Sequence, residues 1–117
     1  MNPEELKART RQFALRIIHL VESLPIGRTT DVLGRQLLRS ATSVGANYRA
    51  ACRARSRADF ISKITVAEEE ADESLYWLEL ISDSETIKAD RLAGLIKEAD
   101  ELTAILTAAG KTAKRKK

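Results

Sequence analysis

From Leu33 to Arg53 the side chains are spaced for one regular backbone. At 100° per residue, Leu33, Leu37, Val44, Tyr48 and Ala51 share one side of a helix. Arg35, Arg39, Arg49 and Arg53 fall together on the opposite side, a row about 27 Å long. No period-two strand pattern competes with this reading. The segment is a helix with an apolar edge, small residues between, and a cationic outer face.

The rest of the chain repeats the helical period. Asn2 is a good N-cap, Pro3 suits the first helical position, and Glu4 and Glu5 complement the positive end of the helix dipole. Phe13, Ile17, Leu20 and Leu24 form the apolar stripe of this first helix, which Pro25 and Gly27 end. The second helix runs from about Thr30, as N-cap, to about Ala54. Ser56 caps a third helix, with Asp59 as its capping-box partner, and this helix extends to about Ser82. A polar loop, Ser82 to Thr86, leads to a fourth helix carrying Leu92, Leu95, Ile96, Ala99, Leu102, Thr103 and Leu106, with Gly110 as its C′ residue. Four helices with short connections are expected to pack as an all-α, antiparallel up-down-up-down four-helix bundle over residues 1–110, followed by a basic disordered tail at 111–117. At 117 residues the chain makes one domain.

Charge is segregated along the chain. Residues 1–57 hold 11 Lys/Arg against 4 Asp/Glu, residues 58–110 hold 4 against 13, and residues 111–117 hold 5 and none. Such a molecule can bind a polyanion, or its basic half can meet the acidic half of another copy. The single cysteine, Cys52, excludes an internal disulfide and suits a reducing compartment. No apolar run reaches the length of a membrane span and the N-terminus has no signal-peptide core, so a soluble cytoplasmic protein is expected.

The third helix has two apolar-looking faces. Phe60, Ile64, Ala67, Ala71, Leu75 and Leu78 make a core stripe, while Val66, Glu69, Glu73, Tyr76, Trp77 and Leu80 lie on the far side. Aromatic residues on an outward face mark an interface, so this set is the expected oligomer contact. The alternative is that Trp77 covers the bundle edge of a single subunit.

The stretch Gln36-Leu-Leu-Arg-Ser-Ala-Thr-Ser-Val-Gly-Ala-Asn47 resembles the pattern Gln-Leu-x-Arg-Ser-Ala-x-Ser-Val/Ile-x-Ala-Asn of the bacterial proteins related to the 23S ribosomal RNA intervening-sequence protein. Asp59-Phe60-Ile61 and Glu68 to Leu80 are similar to the subgroup with Trp on the third helix. Most members carry Glu three residues after the motif Asn, where this chain has Ala50. The resemblance implies an antiparallel four-helix bundle and, as in several members, a five-fold ring. It implies no established activity, although a distant branch is a basic pentamer that binds nucleic acid and a reverse transcriptase.

Arg35, Arg39, Arg49 and Arg53, with Arg28 and Arg57 nearby, are candidate phosphate contacts, as are Lys114, Arg115, Lys116 and Lys117 of the tail, which Lys111 opens. No aromatic residue interleaves with the row, so base stacking is not expected. The row is otherwise a solvated face or an intersubunit ion-pair row. Gln36, Ser40, Ser43 and Asn47 flank it and are expected to bond to backbone or a neighbouring helix, setting register.

His19 lies beside the first core stripe without a nucleophile or base partner, and Cys52 is read as inert packing. The acidic run Glu68 to Glu73 lacks the Glu-x-x-His pairs of di-iron bundles, so no metal or other cofactor is expected. The chain is therefore read as a non-enzymatic homo-oligomer associated with RNA or DNA. The alternative is a structural or protein-interaction scaffold whose arginines are consumed within the assembly.

Overall fold

In a computed structural model, which describes residues 1–115, the chain forms four α-helices: α1 (Pro3–Glu22), α2 (Arg28–Cys52), α3 (Arg57–Asp83) and α4 (Ala93–Arg115). A short 3-10 turn, Ala89–Arg91, precedes α4. The fold is all-α, with no strand among the described residues.

Two helix starts follow from their capping chemistry. The Asn2 side-chain oxygen accepts the Glu5 backbone N–H at 2.8 Å while its amide donates to the Glu5 carboxylate at 2.7 Å. Ser56 Oγ accepts the Asp59 N–H at 3.0 Å. The start of α2 departs from expectation: the helix begins at Arg28, so Thr30 lies inside its first turn rather than capping it. Gly27 stands at the cap without a side-chain bond, and its carbonyl accepts the Asp31 N–H at 2.9 Å.

The end of α4 also corrects the sequence reading. The helix passes through Gly110 to Arg115, so Lys111–Arg115 are helical rather than a disordered tail. A C′ glycine ends a helix by adopting a positive φ, and no glycine among the described residues does so. Gly110 is instead buried against α3, where an added Cβ would lie 3.6 Å from Ile64 Cγ2. Continued contact with α3 favours continuing the helix.

The core is one cluster to which all four helices contribute, including Phe13 and Ile17 of α1, Leu37 and Val44 of α2, Ile64 and Leu78 of α3, and Leu102 and Leu106 of α4. Each such side chain contributes about 1.5–3 kcal/mol by leaving water. Helices pack most extensively with their chain neighbours, and the α1–α4 seam is the sparsest. Arg9 bridges that seam, donating twice to the Glu98 carboxylate at 2.7 Å and once to Glu101 at 2.8 Å. The guanidinium holds the Glu98 carboxyl below its ordinary value, against the opposing effect of partial burial.

Small residues set the two other approaches of α2. Ser40 and Ser74, both fully buried, join α2 to α3 through an Oγ–Oγ bond of 3.0 Å. On the α1 side, Gly45 comes so near Thr10 that an added Cβ would sit 3.2 Å from Thr10 Oγ1. That hydroxyl is already committed to the Leu6 and Lys7 carbonyls, each at 3.0 Å.

Candidate nucleic-acid interface

The motif residues flanking the arginine row are explained by local bonding. Ser43 Oγ donates to the Arg39 carbonyl at 2.8 Å, and Asn47 Nδ2 donates to the Ser43 carbonyl at 2.9 Å. Gln36 Oε1 accepts from Arg39 Nε at 3.2 Å. Only Ser40 reaches across to another helix, so register is set by one small buried pair rather than by the whole flank.

All four arginines of the row are exposed, but they are not equivalent. Arg39 reaches α3, where its guanidinium pairs with Glu70 at 3.4 Å and with Glu73. Glu73 also accepts from the Trp77 indole at 3.0 Å. Arg39 thus serves the α2–α3 seam. Arg35, Arg49 and Arg53 have no ion pair among the described residues.

Arg49 and Arg53 occupy the C-terminal end of α2, and Arg55 and Arg57 follow at once. The α4 cations join them there: Arg57 Nη2 donates to the Lys114 carbonyl at 3.3 Å, bringing the start of α3 to the end of α4. Segments 49–59 and 111–115 contain seven Lys/Arg and one acid, Asp59, and all seven cations are exposed. Cations at the ends of α2 and α4 complement those helix dipoles, but Arg55 and Arg57 stand at the start of α3, where the dipole disfavours them. Two acids of α1 also lie toward this end, with Glu4 paired to Lys7 at 2.8 Å and Glu5 bound to Asn2. Lys116 and Lys117 lie outside the described residues.

On α3, Val66, Glu69 and Tyr76 are exposed, Tyr76 by 54%. Glu73, Trp77 and Leu80 are half-buried, and Trp77 packs against the core as well as edge-on to Tyr76, with ring centroids 5.2 Å apart. The outward apolar surface is therefore smaller than the helical wheel suggests, because Trp77 turns toward the bundle edge.

Cys52 is exposed at the end of α2, which corrects its reading as a packed residue. One turn earlier, the Tyr48 phenol is pushed up chiefly by burial. His19 is exposed in the last turn of α1. Among the described residues, no group of three or more His, Cys, Asp or Glu side chains is placed to hold a metal, and no helix is long and apolar enough to cross a membrane.

Single-helix reasoning missed Lys7 and Arg11, which line a shared groove with Arg49. They lie on a different helix from the row, so no wheel of one segment joins them to it.

The architecture and the motif can be set beside known proteins. No curated protein matches the sequence. A crystal structure from Bacteroides thetaiotaomicron VPI-5482, of a protein with unknown function from the S23 ribosomal protein family, is 38% identical, with a TM-score of 0.87 over 95% of this chain and 99% of that one. The family described as 23S rRNA-intervening sequence protein matches residues 5–108. That span takes in the Gln36–Asn47 motif, the Ser40–Ser74 contact it places and parts of all four helices, so the chain belongs to the 23S rRNA-intervening sequence protein family.

Proposed function

We propose that this protein is a non-enzymatic, cytoplasmic accessory protein that assembles into a homo-oligomeric ring and holds RNA by its phosphate backbone. The observation that carries this reading is the gathering of Arg49, Arg53, Arg55 and Arg57 with Lys111, Lys114 and Arg115 at one end of the molecule. Seven exposed cations with one acid among them repel one another and favour a polyanion. Guanidinium groups suit phosphate oxygens, and the absence of aromatic residues in both segments favours backbone contact over base stacking. Family membership supports the choice of RNA.

An antiparallel up-down-up-down course fits the pairings that bring the basic segments together. Thr10 meets Gly45 and Val21 meets Gly34; Ile64 meets Gly110 and Arg57 meets Lys114. In each helix pair the later residue of one faces the earlier residue of the other. Self-association is supported by exposed Val66 and Tyr76, beside Glu69 and Asp72 on the acidic part of the chain. That patch docks on a surface of the next copy away from the basic end, and such a head-to-tail contact generates a ring where its rotation closes.

Filter binding with a short single-stranded RNA tests the proposal. Affinity is expected to fall linearly in log–log form between about 50 mM and 200 mM salt. Negligible binding at the lower salt refutes it. The scaffold reading keeps one specific observation in its favour: Arg39 is already consumed by Glu70 and Glu73 within the subunit. Under that reading, charge reversal at Arg49 dissolves the oligomer. Under ours, it leaves the oligomer intact and weakens RNA binding.

A further inference from the structure

We infer that the groove between α1 and α2 continues the basic end and seats the sugar-phosphate backbone of a single nucleic-acid strand, with Lys7 and Arg11 of α1 opposite Arg49 of α2. The inference rests on the phosphate-binding reading above and adds a path and two residues to it. The groove has a volume of about 540 Å³, and Thr10, Ala14, Gly45 and Ala46 line it along with the three cations. Close approach of Thr10 to Gly45 keeps its floor low. A strand can therefore lie down between the helices without displacing a bulky side chain.

The chemistry selects a phosphodiester backbone over a base or an apolar peptide. No aromatic side chain lines the groove, so nothing there stacks a base. Arg11 and Arg49 have no carboxylate partner among the described residues. Glu4, the one acid at the groove, is paired to Lys7 at 2.8 Å. Lys7 and Arg11 are one helical turn apart, about 6 Å along the axis, the scale of neighbouring phosphates on an extended strand. Arg49 belongs both to the groove and to the cluster at the end of α2, which makes the two regions one continuous surface.

The test compares the wild-type protein with Lys7→Gln/Arg11→Gln, with Ala46→Glu on the exposed part of the floor, and with Lys88→Gln in the loop before α4 as a remote control. Each is titrated with a labelled single-stranded RNA across a salt series, and native mass is measured alongside. Each phosphate contact on a single strand contributes about 0.7 to the salt slope. Loss of two contacts is expected to flatten the slope by about 1.4, so that the wild-type advantage shrinks about sevenfold between 50 mM and 200 mM salt. Ala46→Glu is expected to weaken binding without changing native mass, and Lys88→Gln to match the wild type. An unchanged slope in the double variant, with the wild type still binding, overturns the groove and leaves the basic end standing. Dissociation of the oligomer by the double variant with its slope unchanged also overturns it, by giving the groove to a second copy of the chain. A wild type that binds no RNA overturns the proposed function and this inference together.

Discussion

Alanine substitution at two helical glycines is expected to move stability in opposite directions. Replacing glycine by alanine inside a helix gains about 1 kcal/mol from backbone propensity. At Gly110 the new methyl meets Ile64 Cγ2 at 3.6 Å, an ordinary packing distance, so the gain is kept. At Gly45 it meets Thr10 Oγ1 at 3.2 Å and Thr10 Cβ at 3.4 Å. Thr10 has little room to yield, because its hydroxyl bonds the Leu6 and Lys7 carbonyls and the residue is fully buried. Overpacking of this kind costs about 1–3 kcal/mol, which leaves Gly45→Ala destabilised by about 1 kcal/mol. The two variants should differ by about 2 kcal/mol, or about 8 °C in Tm for a domain of this size. Adding Thr10→Ala to Gly45→Ala should recover most of the loss, since the new methyl then occupies the space given up by the threonine. Thermal unfolding by circular dichroism at fixed protein concentration reads the difference. Equal shifts of the same sign would refute the close α1–α2 approach on which the groove depends.

Other consequences follow from particular contacts. Arg9→Met should cost about 1–2 kcal/mol by leaving Glu98 and Glu101 without their partner. Because the folded Glu98 carboxyl is held below its ordinary value of 4.5, its contribution is complete above that pH and is lost as pH falls beneath it. The variant should therefore lose less stability than the wild type on acidification, as read by urea unfolding across pH. Glu70→Gln/Glu73→Gln should release Arg39 and tighten RNA binding, with a stability cost of about 1 kcal/mol, because Arg39 is half-exposed while the Glu70 side chain is mostly buried. Unchanged affinity would place Arg39 outside the RNA path. Val66→Glu/Tyr76→Glu should reduce native mass while leaving the helical circular dichroism signal intact, since both side chains are exposed. An unchanged mass would remove α3 from the interface.

The helices and most of the core were legible because they depend on period and capping, which are local. Asn2 and Ser56 announce their helices within three residues of sequence. Gly110 misled for a tertiary reason. Glycine is a stop signal when the chain leaves the helix, but at Gly110 contact with Ile64 keeps the helix going and lets Lys114 meet Arg57. The arginine row was visible as a pattern, while its division was not. Arg39 is diverted by two glutamates more than thirty positions away, and Arg49 is joined by cations from α1. The wheel angle of Trp77 alone leaves an outward face and the bundle edge both open; the indole bond to Glu73, itself engaged by Arg39, holds it at the edge.

The central claim is that the cations gathered at one end of the molecule form a phosphate-binding surface. The most direct measurement is the salt slope of RNA binding for the wild type and for Arg53→Gln/Arg57→Gln/Lys114→Gln. The account predicts measurable wild-type binding at about 50 mM salt, a log–log slope steeper than about −2, and a slope flattened by about 2 in the triple variant. Wild-type binding that is absent, or a slope that the three substitutions leave unchanged, would contradict it.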